Sequence, residues 1–109
     1  MALTKEFRQT VKARAERDRA FRDALLTEAV EQLLAGELEE GKAVLRDYIN
    51  ATVGFEKLGK ATGTPPKSLM RMLGPSGNPR ASNLLAVIGE LQRMSKLHLA
   101  VAAGRTRSA

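Results

Sequence analysis

Gly63 lies between two short stretches whose apolar residues recur at helical spacing, a pattern that folds as two helices joined by a tight turn. In FEKLGKATGTPPKSLMRMLGPSGNP, Phe55 to Pro79, the first stretch carries Phe55, Leu58 and Thr62 on its inner side. The second carries Leu69, Met72 and Leu73 at i, i+3 and i+4, one buried face of a helix. Lys67, Ser68, Met70 and Arg71 are left facing outward. Gly74 to Pro79 is a loop by its turn residues.

The remaining sequence surrounds this unit with further helix. Thr4 is placed to cap KEFRQTVKARAER, where Phe7, Val11 and Ala15 fall four apart. At Asp18 this helix either continues or gives way to a newly capped one. From there to Ala35, the sets Phe21, Leu25, Ala29, Leu33 and Leu26, Val30, Leu34 form two adjacent stripes, the wide face of a helix packed in a bundle, and Gly36 ends it. Leu38, Gly41, Leu45, Tyr48 and Ile49 predict a third helix to about Thr52, with Glu37, Glu39 and Glu40 at the positive end of its dipole. Gly41 costs about 1 kcal/mol there against Ala, which either counts against the helix or points to close packing at that position. Gly54 separates this helix from the two-helix unit. After the loop, Arg80 or Ser82 caps a helix running to about Met94, carried by Ala81, Leu84, Leu85, Ile88 and Leu91.

Beyond it the period changes. Leu97, Leu99 and Val101 alternate with His98, Ala100 and Ala102, which predicts a short C-terminal strand, the alternative being a helical or loose tail. A lone strand needs a partner edge, most simply that of a second copy of the chain. The expected fold is all-α, one domain over 1–109: an N-terminal helical extension over 1–53, a helix-turn-helix core over 54–95 and a tail over 96–109.

Charge narrows the function. The net charge of +6 and pI near 10.2 favour a polyanionic partner. Residues 23–40 hold six acids and no base, whereas residues 61–80 hold three bases and no acid. With no Cys there is neither a disulfide framework nor a thiolate metal site, and the expected compartment is the cytoplasm. Apolar runs fall far short of the roughly 18 residues of a membrane span, so no membrane partner is expected. Catalysis is not expected either. His98 is the single histidine, Glu39 and Glu40 point to different helix faces, and the Gly74 to Gly77 loop lacks a nucleotide-binding Gly-Lys-Ser/Thr. No cofactor is called for.

A helix entering the DNA major groove reads base edges with its early residues, while its flanks meet phosphates. On that logic Lys67, Ser68 and Arg71 are the reading candidates, Arg71 suited to a guanine and Met70 to a thymine methyl. Thr64, Asn78 and Arg80 are candidates to hold the DNA backbone. The competing view is that Lys67 and Arg71 are a solvated i, i+4 pair and Met70 fills a groove in the protein. The seven bases through Arg22 could add phosphate contacts and the acids Asp23, Glu28, Glu31, Glu37, Glu39 and Glu40 could dock a basic partner, although both runs are by default solvated faces.

Residues 55–94 resemble the helix-turn-helix of lambda-repressor/Cro-like regulators. LGKATGTPPKSLMRMLGPSGNPRASNLLAVIGELQRM in particular is similar to the addiction-module antidote proteins, a branch of HigA-like antitoxins. The resemblance is carried by the turn glycine Gly63, a Ser/Lys-containing recognition helix ending in Leu73, and the Gly77-Asn78-Pro79 that follows. It covers about forty residues strongly and reaches more weakly back through Leu45 to Gly54, LRDYINATVG. It implies a homodimeric, sequence-specific DNA-binding repressor, the antitoxin of a type II toxin-antitoxin module, with a double-stranded operator and a RelE/ParE-like toxin as partners. Two positions depart from the pattern. Gly59 stands where Ala is usual, and Pro65 and Pro66 open the recognition helix, removing two N–H groups that otherwise hold phosphate. The second reading, from a different class, is a helical protein-interaction module that has lost DNA binding.

Overall fold

The computed structural model describes residues 4–105, which form six helices. They are α1 (Lys5–Arg17), α2 (Arg19–Leu34), α3 (Leu38–Ala51), α4 (Gly54–Thr62), α5 (Pro66–Met72) and α6 (Ala81–Ser95). Thr4 caps α1 by accepting from the Phe7 N–H at 3.0 Å. At Asp18 the chain breaks: the backbone turns extended there, and the carboxylate accepts from the Phe21 N–H at 3.1 Å to start α2. Arg22 donates to the Ala15 carbonyl at 2.5 Å and ties the new helix to the end of the old one.

Gly36, at φ 83°, reverses the chain so that α3 returns along α2. Gly41 lets the two approach closely, since a Cβ there would lie 2.5 Å from Leu33 Cδ2. The helix-propensity cost of that glycine is thus exchanged for contact. Helix α3 is the hub: it packs against α1, α2 and α4, and it buries Leu45, Tyr48, Ile49 and Ala51. A single apolar cluster runs from Leu26 and Ala29 on α2 through α3 to Phe55, Leu58, Leu69, Leu73, Val87 and Leu91. The two-helix unit therefore shares its core with the helices that precede it.

Several expected stripes turn out rotated. Val87 and Leu91 are the buried residues of α6, while Leu85 is 65% exposed and Ala81 is exposed as well. Phe7 and Leu34, placed inward by spacing, face out. Burial follows the angle at which each helix meets its neighbours, and a period alone leaves that angle free by about one residue.

The short C-terminal strand is absent among the described residues. Lys96 adopts a left-handed conformation at φ 53° and ends α6, with the Leu97 N–H closing onto the Gln92 carbonyl at 2.9 Å. The Leu99 N–H then donates to Gln92 Oε1 at 2.8 Å. Leu97 and Leu99 pack on the core while His98 and Ala100 point to solvent, so the alternation is real. Its cause is an irregular segment that lays Leu97 and Leu99 on the core of the same chain. Tail residues 106–109 lie outside the described residues. No described helix is long and apolar enough to cross a membrane.

Candidate nucleic-acid interface

The turn between α4 and α5 depends on two glycines. Gly63 takes φ 72° and ψ 21°, and its N–H, like that of Thr64, returns to the Gly59 carbonyl. A Cβ on Gly59 would sit 2.7 Å from the Thr64 carbonyl oxygen and 3.3 Å from the Pro66 ring. Position 59 is therefore closed to a side chain chiefly by the Thr64 carbonyl oxygen, with the Pro66 ring a looser second contact.

Pro65 precedes α5 in an extended conformation, and its carbonyl accepts from the Ser68 and Leu69 N–H groups at 3.0 and 3.1 Å. Helix α5 is thus started by an acceptor with no side-chain cap, as suits a proline in the first turn. Leu69 and Leu73 are buried and Met72 is half-buried. Lys67, Met70 and Arg71 are exposed, and Ser68 is half-buried.

Between α5, the following loop and the start of α6 lies a groove of about 640 Å³. Thr64, Ser68, Arg71, Asn78 and Arg80 line it together. Lys67 and Met70 do not; they sit on the exposed flank of α5 outside it. The groove also takes in Thr62, Ser76 and Asn83, which the sequence pattern does not single out. Asn83 was within reach, being one helical turn beyond Arg80. Ser76 was not, because a loop has no period.

The lining carries two charges, Arg71 and Arg80, and no carboxylate. Among the described residues neither arginine, nor Lys67, has an ion-pair partner, and all three are exposed to solvent. An unpaired cation pair amid hydroxyls and amides can accept a phosphodiester and donate to base edges. Among the described residues no group of three His, Asp or Glu could hold a metal.

The loop behind the groove is tied to α3. Lys42, fully buried, donates to the carbonyls of Gly74 at 2.9 Å and Gly77 at 2.6 Å and pairs with Glu39 at 3.0 Å. Arg46 donates to the Leu73 carbonyl. A cation inside the apolar stripe Leu38, Leu45, Ile49 was the available signal for Lys42.

A separate hollow of about 290 Å³ at the other end of α3 sets Lys5, Arg8 and Lys12 around Asp47 and Asn50. Burial pushes the Asp47 carboxyl up, against the opposing pull of Arg46 and Arg8.

Comparison with known protein families, with curated proteins and with solved structures finds no match for this chain.

Proposed function

We propose that this protein is a sequence-specific DNA-binding transcriptional repressor and the antitoxin of a type II toxin-antitoxin module. One observation carries the reading: Arg71 and Arg80 stand unpaired in a groove lined by Ser68, Asn78 and Asn83 and free of carboxylates. An α-helix such as α5, about 10 to 12 Å across with its side chains, fits a major groove about 12 Å wide. Arg71 reads guanine and Ser68 an adjacent base, while Thr64, Asn78, Arg80 and Asn83 hold phosphates. Lys67 and Met70, on the outer flank of α5, meet the opposite wall of the DNA groove. A homodimer sets two such helices about 34 Å apart on an inverted repeat and excludes polymerase. The toxin partner, basic and RelE/ParE-like, meets the acidic side of the molecule, where Glu28, Glu31, Glu37 and Glu40 are exposed and Leu34 is 66% exposed.

Selection from a random duplex library followed by affinity against salt is the test. Recovery of a consensus site whose affinity falls steeply with salt, by about 0.9 log units per log unit for each phosphate contacted, supports the reading. Arg71→Ala relaxes the guanine preference at one position per half-site. A flat salt response, or no duplex bound at low salt, leaves the protein-interaction module, which Pro65 and Pro66 favour by withholding two backbone donors from phosphate.

A further inference from the structure

We infer that Lys42 is a positioning residue for the groove: from the buried face of α3 it fixes the loop that carries Asn78 and Arg80 relative to Ser68 and Arg71. The inference rests on the DNA-binding reading above. An ammonium has three N–H donors and no acceptor, and taking it out of water is costly unless each donor is used. All three are used here, on Gly74, Gly77 and Glu39. Apolar residues that replace such a buried polar set as a whole are often as stable, whereas removing the lysine alone leaves the Gly74 and Gly77 carbonyls without its donors. What a lysine supplies and a leucine cannot is direction, because its bonds reach two carbonyls of one loop from a helix more than thirty residues earlier in the chain.

The surroundings leave that loop little other freedom. Helices α5 and α6 both pack on α4, and the segment from Leu73 to Arg80 is the covalent link between them. The Gly77 N–H closes onto the Gly74 carbonyl at 3.0 Å, and a Cβ on Gly77 would collide with the carbonyl oxygens of Arg71 and Met72. Arg46 takes the Leu73 carbonyl beside them. The carbonyls of Leu73, Gly74 and Gly77 are thus all claimed by α3, at the negative end of α5, where cations are favoured. The opposite side of the same loop presents Ser76 and Asn78 to the groove. A change in the Lys42 bonds alters the distance between the α5 and α6 walls without touching either.

The test is Lys42→Met, which keeps the chain length and removes the donors, studied well below its melting temperature. Amide exchange of Gly74 and Gly77, the hydrogen-bonded N–H groups of the loop, is expected to speed up about tenfold or more while the α2 and α3 core stays protected, the signature of local opening. Affinity of the folded protein for the selected duplex is expected to fall about tenfold or more, the discrimination of one well-made base contact. The salt slope stays unchanged, because Lys42 touches no phosphate. Faster exchange with unaltered affinity makes Lys42 structural only and overturns the inference. So does a salt slope smaller by about 0.9, which marks a direct phosphate contact. If the variant fails to fold, the wild-type Lys42 ammonium decides: its protons exchange far more slowly than those of Lys67 when the clamp holds, and equally fast when it does not. If the wild-type protein binds no duplex, the DNA reading fails by itself, and loop exchange in Lys42→Met still shows whether the clamp exists.

Discussion

The joint between α3 and the 73–77 loop and the groove on the other side of that loop are built from the same chemistry under opposite conditions. In the joint, Lys42 and Arg46 reach backbone carbonyls, and Lys42 is shut off from solvent. In the groove, Arg71 and Arg80 have no protein partner among the described residues and stay in water. A cation that is fully bonded inside its own subunit is a structural part, whereas one kept hydrated can exchange water for an outside anion at low cost. Exposure and bonding thus separate Lys42 and Arg46 from Arg71 and Arg80, although composition counts them alike.

Substitutions can break or sharpen this contrast. The largest effect is expected on the joint side, from Gly77→Ala. Its methyl group lands on the Arg71 and Met72 carbonyls, which are backbone and cannot swing away, so a loss of about 3 kcal/mol is expected in denaturant unfolding. A smaller loss is expected at the turn. Gly59→Ala gains about 1 kcal/mol of helix propensity and pays for a Cβ placed 2.7 Å from the Thr64 oxygen, for a net destabilisation of about 1 to 2 kcal/mol. A Gly59→Ala protein more stable than wild type would show that the turn relaxes around Pro66.

On the groove side the expectation reverses. Arg71→Ala should leave the unfolding free energy within about 0.5 kcal/mol of wild type while weakening discrimination at its base by about 1 to 3 kcal/mol, read by competition between duplexes. If stability fell instead, Arg71 would belong with the joint. The smallest effect concerns the break between α1 and α2, remote from both regions. The Phe21 N–H and the Arg14 guanidinium hold the Asp18 carboxyl below its ordinary 3.8. A depressed folded-state value means that its contribution is complete above 3.8 and is lost as pH falls through the lower value. The melting-temperature gap between wild type and Asp18→Ala should therefore be full near about pH 6 and shrink in acid, with duplex affinity unaffected.

Much of this molecule can be read in its sequence, for identifiable reasons. Thr4, Asp18, Gly36 and Gly63 mark helix ends because capping and left-handed turns are decided within a few residues. The outward placement of Lys67, Met70 and Arg71 followed from Leu69 and Leu73 facing in. Other features were illegible. The alternation from Leu97 to Val101 predicted a strand, whereas in the structure Leu97 and Leu99 pack on the core without forming one and Val101 is exposed. Val87 inside and Leu85 outside is a rotation of α6 that a periodic pattern admits in either sense.

Local chemistry in the chain determined an all-helical protein with breaks at particular caps and glycines, since each of those choices is made by neighbours in sequence. Packing alone decided that Lys42 is bonded to a loop thirty-two and thirty-five residues away, and which cations stay exposed without an ion-pair partner. The physical reason is range. A helix period says which residues share a side, but the partner that covers that side, and so whether a charge on it is spent or free, comes from segments the period does not see.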